Sequence, residues 1–296
     1  MKIKLLLMIF LIMTAGLSHA ITWDEYVDIA NACADTNYLG EGCDKVRDYS
    51  EELLKKKEMQ DPAYRFEIYN HYAGTFNFRG DYDKAIKYYK MAVETGYDKD
   101  GETYNRLGAA LNQAGKYEDA LEVYDTAIRL NPQSGMFAAN RADTYRKLDM
   151  LDDAAEGFEK AISLGHESSA LYTNYGNLWL TRGDRYKAVR YYTKALDINP
   201  NEVVALYNRA YLYRELWEPL KAVEDFKKLI ELEPENGNTY ISKIKGILIL
   251  LSNLEQEQAD KLASDLLSYA HENNNTELAE YLMNNFKLNR LPIKIK

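Results

Sequence analysis

Cysteine is scarce in this chain of 296 residues, which has only Cys33 and Cys43. They form no CxxC pair, so a dithiol redox motif and a cysteine-rich zinc site are excluded. Histidine is scarce as well: besides His19 near the start, His71, His166 and His271 lie scattered, and none belongs to an HExxH or other ligand spacing. No metal site and no cofactor are therefore expected. The 16 glycines make neither GxGxxG nor GxxxxGK[ST], which removes the phosphate-cradling loops of nucleotide enzymes. Glycine and the six prolines nowhere gather into a linker of more than a few residues, so a second independent domain is not expected. Positive charge is in deficit. The 37 Lys and Arg against 46 Asp and Glu give a net charge of -9, which leaves no basic footprint for nucleic acid or an anionic membrane surface.

Long apolar runs are missing except at the start. MKIKLLLMIFLIMTAGLSHA places Lys2 and Lys4 before an apolar run at residues 5–13 and small residues ending at Ala20, the order of a signal peptide and its cleavage point. A retained anchor would need about 20 apolar residues to cross a bilayer. No cysteine stands at the cleavage point to carry a lipid. Residues 1–20 are thus expected to be removed, placing the protein in the periplasm or outside the cell with no stable membrane insertion. In such an oxidising compartment Cys33 and Cys43 can close one local disulfide across residues 37–42. Loop closure gives such a bridge about 3 kcal/mol at best.

What the chain has in abundance is a repeated pattern. In LGAALNQAGKYEDALEVYDTAIRLNP, residues 107–132, small residues stand where neighbours carry long side chains, and the arrangement returns every 34 residues. Gly108, Ala142, Gly176 and Ala210 form one series, Ala120, Ala154, Ala188 and Ala222 a second, and Ala127, Ala161, Ala195 and Leu229 a third. Tyr124, Phe158, Tyr192 and Phe226 keep the same interval. An earlier copy, displaced by one extra residue, carries Ala73, Gly80, Ala85, Tyr89 and Ala92. Each copy contains two helical stripes, such as Tyr104, Leu107, Gly108 and Leu111 followed by Ala120, Val123, Tyr124, Ala127 and Ile128. Gly80, Gly115, Asp149 and Gly183 mark turns between the stripes, and Pro132, Pro200 and Pro234 mark exits from the second helices. A mid-helix glycine costs about 1 kcal/mol relative to alanine. Gly108 and Gly176 therefore imply a close helix contact, and hairpins that bury their remaining apolar faces on one another make a solenoid.

The pattern resembles the tetratricopeptide repeat family. Tyr104, Leu107, Gly108, Ala120, Tyr124, Ala127 and Pro132 match one unit of that family, although Leu111 stands where an aromatic is usual. The likeness covers residues 66–236, with His166 in place of one exit proline. It implies an all-α, right-handed α-solenoid, a superhelix of helical hairpins, whose first helices face an inner groove. By resemblance Asn105, Arg106, Asn140, Arg146, Lys147, Thr173, Asn174, Asn177, Tyr207, Asn208 and Tyr211 line that groove. The recurring Asn140, Asn174 and Asn208 allow two readings. They can hold the backbone of an extended peptide, or they can order adjacent helices. The family members that clamp acidic chaperone tails carry cations where this chain has Asn105, Ala170 and Asn174, so that function is not expected.

Residues 21–62 read as an N-terminal helical cap stapled by Cys33 and Cys43, residues 63–236 as five repeats, and residues 237–296 as a degenerate sixth hairpin with a capping helix. In the sixth hairpin Lys243-Ile244 replaces Leu-Gly, and Leu278, Tyr281, Leu282 and Phe286 give the last helix one apolar face. Lys294 and Lys296 read as a frayed tail, and Asn274-Asn275-Thr276 is a glycosylation sequon. The function expected is a noncatalytic scaffold or adaptor that holds a protein or extended peptide in its concave groove during assembly of an envelope complex. Nothing in the pattern sets an oligomeric state. The competing class is a hydrolytic enzyme near the C-terminal cap, using Glu255, Glu257, Asp260 or Asp265 with His271. Solvated acids on one helical hairpin explain that cluster more simply, since nothing in the pattern fixes a substrate or a nucleophile.

Overall fold

Helix starts in this protein are set by short polar side chains that accept an otherwise orphaned backbone N–H. Asp61 accepts from Ala63, Asp81 from Lys84, Ser134 from Phe137, Ser168 from Leu171, Asp184 from Lys187 and Asn275 from Leu278. The computed structural model describes residues 21–35, 42–273 and 275–286. The leader, residues 37–41 of the inter-cysteine turn, Asn274 of the sequon, and Lys294 and Lys296 lie outside the described residues.

The elements in chain order are α1 (Trp23–Asp35), α2 (Gly42–Leu53), α3 (Pro62–Phe78), α4 (Tyr82–Glu94), α5 (Glu102–Gln113), α6 (Tyr117–Leu130) and α7 (Gly135–Lys147) in a first unit ending at Leu148. A second unit from Asp149 holds α8 (Leu151–Ser163), α9 (Ser169–Thr181), α10 (Arg185–Ile198), α11 (Val203–Glu215), α12 (Pro219–Leu232), α13 (Gly237–Leu254), α14 (Gln256–Glu272) and α15 (Thr276–Asn285). No strand occurs among the described residues. Within each unit successive helices pack as hairpins, the helix-pair stacking of an all-α solenoid.

In the first unit Cys33 and Cys43 form a disulfide between α1 and α2. Beneath it Tyr26, Ala30, Val46, Leu53 and Ile68 make a small core. The Tyr26 hydroxyl lies 2.9 Å from Ser50 Oγ inside that core, and Ser50 donates to the Val46 carbonyl. A larger core joins α3 to α6 through Tyr72, Ala73, Tyr89, Leu107, Leu111 and Tyr124. The mid-helix glycines have the reason the sequence demanded. A Cβ on Gly108 would come within 2.7 Å of the Tyr124 ring, and one on Gly176 in the second unit within 2.6 Å of the Tyr192 ring. In these two hairpins the second helix lays its tyrosine across the backbone of the first.

In the second unit α9 pairs with α10, α11 with α12 and α13 with α14, and α15 packs on α14 through buried Leu278 and Leu282. Ile244, at the degenerate Lys243-Ile244 position, is fully buried. No helix among the described residues is long and apolar enough to cross a membrane.

Turns between paired helices use the left-handed conformation. Gly80, Gly115 and Gly183 have φ of 76°, 75° and 79°, each followed by a residue whose N–H reaches back five positions, as in Asp184 to the Trp179 carbonyl at 2.9 Å. Trp217 occupies the same place in the fifth repeat with φ 59°, and Glu218 N–H bonds the Tyr213 carbonyl at 2.8 Å. A left-handed conformation costs a residue with a Cβ about 1–2 kcal/mol. The Trp217 side chain recovers little by packing, since it is 62% exposed. Trp217→Gly is therefore expected to raise stability by about 1 kcal/mol, or roughly 2–4 °C in Tm. A lower Tm on differential scanning calorimetry would show that the indole packs more than its exposure implies.

Candidate functional site

The candidate groove residues fall in two sets, one in each unit. In the first unit Asn105 on α5 is buried at 5% exposure, and its Oδ1 accepts from Asn140 Nδ2 on α7 at 2.8 Å. A parallel link runs from Asn112 Nδ2 on α5 to Thr144 Oγ1 on α7 at 2.6 Å, and Lys147 Nζ also donates to Asn112 Oδ1. Arg146 donates twice to Asp143 Oδ1, at 3.0 and 2.7 Å, while Lys147 Nζ stands 3.6 Å from Asp143 Oδ2. Asp143 thus offsets charge that the sequence pattern offers to a partner. Arg106 Nε donates to Glu102 Oε1 at 3.2 Å one turn earlier on α5.

In the second unit Asn208 Nδ2 on α11 donates to Asn177 Oδ1 on α9 at 2.9 Å, and the Tyr192 hydroxyl donates to the same oxygen at 2.7 Å. Thr173 is buried, and its Oγ1 makes no hydrogen bond, while Asn174 is half-buried on the same helix. Tyr207 and Tyr211 remain at the surface, at 38% and 40% exposure. Arg214 lies 4.5 Å over the Tyr211 ring, and Arg185 Nε donates to Glu215 Oε2 at 2.7 Å nearby. The structure therefore uses Asn105, Asn140, Asn177 and Asn208 to tie first helices together. The two tyrosines are what it leaves available for contact.

Sequence reasoning passed over a recess of about 360 Å³ in the first unit, lined by α1, α3, the loop at 97–101 and the start of α5. Its wall includes Asn70 and His71, and a 35-residue step from Asn105, the same step that joins Ala73 to Gly108, lands on Asn70. That step was the available signal. The His71 side chain is 14% exposed, its Nε2 lies 3.8 Å from Glu67 Oε2, and its ring meets Tyr26 edge-on. Burial, reinforced by the Arg106 charge, pulls the His71 pKa down from 6.5 to about 4. Glu67 is pushed up by burial, with Arg106 opposing.

The linkage has a definite sign. Between about pH 4 and 6.5 the folded imidazole binds fewer protons than the unfolded one, so stability is full above that window and is lost as pH falls through it. The loss attributable to His71 is on the order of 3 kcal/mol. His71→Gln is expected to flatten this part of the stability profile. Urea unfolding at the two ends of the window checks it, and identical pH dependence in parent and variant would assign the effect elsewhere.

The acids of the competing enzymatic reading do not converge. Glu255, Glu257, Asp265 and His271 are exposed on or beside α14, and Asp260 accepts from Gln256 at 2.8 Å. Among the described residues no group of three or more His, Cys, Asp or Glu could hold a metal ion.

Models of the tetratricopeptide repeat match residues 64–133, 169–202 and 191–224. These stretches of the chain are tetratricopeptide repeats. The α3–α6 hairpins and those from α9 to the first turn of α12 fall in the matched residues. No curated protein matches the chain. Among solved structures, the anaphase-promoting complex hetero-tetramer Cut9-Hcn1 is similar with 15% identity and a TM-score of 0.60, over 89% of this chain and 49% of that one. TTC0263, a thermophilic tetratricopeptide protein of Thermus thermophilus, is similar with 18% identity and a TM-score of 0.52, over 62% of this chain and 99% of that one. At such identities the likeness speaks for the tetratricopeptide fold alone.

Proposed function

We propose that this protein is an adaptor that works outside the cytoplasm, in the periplasm or as a secreted protein, and binds a protein or extended peptide segment during assembly of an envelope complex. The observation that carries the binding site is the pair Tyr207 and Tyr211, one helical turn apart on α11 and exposed while the helix buries Ala205, Leu206, Ala210 and Leu212. Tyrosine combines a large apolar face with a hydroxyl, and such residues dominate binding energy at protein interfaces. The leader-like order of residues 1–20 and the Cys33–Cys43 bridge support export.

Pull-down from an envelope fraction, followed by affinity measurement on the captured protein, tests the assignment. Tyr207→Ala with Tyr211→Ala is expected to weaken binding by about 30-fold or more, the effect of losing roughly 2 kcal/mol at an interface anchor. Arg146→Glu with Lys147→Glu is expected to act more weakly, because Asp143 already shares their charge. Binding unchanged by both pairs would move the interface to other helix faces or the end helices.

A further inference from the structure

The recess beside His71 has a one-sided chemistry. Four acids line it, Glu67, Asp98, Asp100 and Glu102, against the two cations Lys99 and Arg106. Much of this charge is already engaged. Asp98 accepts from the N–H groups of Gly101 and Tyr104 at 3.1 and 2.9 Å, Arg106 pairs with Glu102, and Lys99 Nζ donates to the Gly96 carbonyl. Two buried side-chain atoms of residues that line the recess make no hydrogen bond. One is Oδ1 of Asn70, a residue 9% exposed whose Nδ2 donates to Thr103 Oγ1 at 2.7 Å; the other is His71 Nδ1.

Leaving a buried acceptor unsatisfied is costly, so a ligand that donates to both atoms recovers that loss. With the imidazole neutral and its proton on Nε2, toward Glu67, Nδ1 presents a lone pair. The Phe66 and Tyr97 rings, 6.4 Å apart, supply the apolar part of the wall. A ligand that fits must donate several hydrogen bonds, carry positive charge and have an apolar stem. A lysine side chain has all three properties.

We propose that the recess receives the side-chain ammonium of a lysine from the bound protein segment, held by Glu67, Asn70 and His71. The inference rests on the adaptor reading and gives its partner a chemical requirement. Arg106 opposes the ligand, because its charge acts on both Glu67 and His71. A carboxylate ligand would reverse that sign, so Arg106 discriminates between the two.

The test is an NMR titration of the full chain, labelled at side-chain amides, with the blocked peptide acetyl-Ala-Ala-Lys-Ala-Ala-amide and its norleucine and glutamate counterparts. Blocking the ends removes the terminal amine as a source of the signal. The lysine peptide is expected to shift the Asn70 amide saturably in the millimolar range, and the other two to leave it unmoved. Glu67→Gln, at a half-exposed position where the fold should tolerate the change, is expected to weaken the lysine peptide about tenfold. Arg106→Met is expected to tighten it several-fold. Absence of a saturable lysine shift, a lysine shift indifferent to Glu67→Gln, or a glutamate-peptide shift abolished by Arg106→Met would each overturn the proposal. Failure of the lysine titration while a captured partner still depends on Tyr207 and Tyr211 overturns the recess alone. A lysine titration that behaves as expected, with no tyrosine-dependent partner, overturns the adaptor reading instead.

Discussion

Replacing Asp225 by alanine is expected to lower folding stability by about 3–5 kcal/mol, the penalty for leaving a buried charge without its partner. Asp225 is 5% exposed on α12 and takes both ends of the Arg209 guanidinium of α11, Nε to Oδ2 at 2.9 Å and Nη2 to Oδ1 at 2.7 Å. Arg209 Nη1 also donates to Thr193 Oγ1 on α10 at 3.1 Å, so one side chain ties three helices. Burial pushes the Asp225 carboxyl up while Arg209 pulls it down, so its ionised form depends on the guanidinium. A recess of about 470 Å³ lined by both residues admits water, and Asp197 also lines it. That access draws the expected loss toward the lower end of the range. Because an ion pair of this kind often stabilises no more than well-packed apolar side chains, Asp225→Leu combined with Arg209→Met is expected to restore most of the loss. Guanidinium chloride unfolding of the parent, the single variant and the double variant measures both effects. A single-variant loss below about 1 kcal/mol would mean that water or Asp197 satisfies Arg209.

The second large effect is steric, and alanine is its sharpest probe. On helix propensity alone Gly176→Ala should stabilise α9 by about 1 kcal/mol. Its Cβ would lie 2.6 Å from Tyr192 Cε1, however, and Tyr192 is fully buried with its hydroxyl held by Asn177. The ring cannot withdraw without losing that bond, so overpacking of about 1–3 kcal/mol outweighs the propensity gain. Gly176→Val adds two methyls to the same contact and is expected to cost about 3 kcal/mol or more. Tyr192→Leu removes the obstructing ring, and Gly176→Ala in that background is expected to turn neutral or stabilising. A double-mutant cycle in urea reads the coupling directly, and additive effects would show that the ring and the glycine do not limit one another.

Both predictions concern contacts that the sequence reveals unequally. The Gly176–Tyr192 contact was legible, because a glycine inside a strong helical stripe, recurring with an aromatic 16 residues later, has few explanations besides close packing. The Arg209–Asp225 pair has the same separation, yet among so many acids and bases no single pairing stands out. The left-handed turn at Trp217 was hidden by residue type. Gly80, Gly115 and Gly183 announce their turns, whereas Leu216-Trp217-Glu218 carries no turn signal and adopts the conformation because the hairpin on either side demands it.

The sequence by itself determined the repeating unit, the all-α class, the positions of close helix contact and the turns that glycine marks. These depend on volume and apolar spacing along single helices, quantities that period and residue type record directly. The tertiary structure alone decided how the polar side chains are used. Whether Asn105, Asn140, Asn177 and Asn208 face a ligand or one another depends on hydrogen-bond partners 31 or 35 residues away, and a one-dimensional pattern does not encode that orientation. The structure joins them in pairs, leaves Tyr207 and Tyr211 at the surface, and brings Asn70 and His71 together with acids from a loop and a second helix. Burial then makes His71 hard to protonate and leaves acceptors without donors, a consequence of packing that has no counterpart in the unfolded chain.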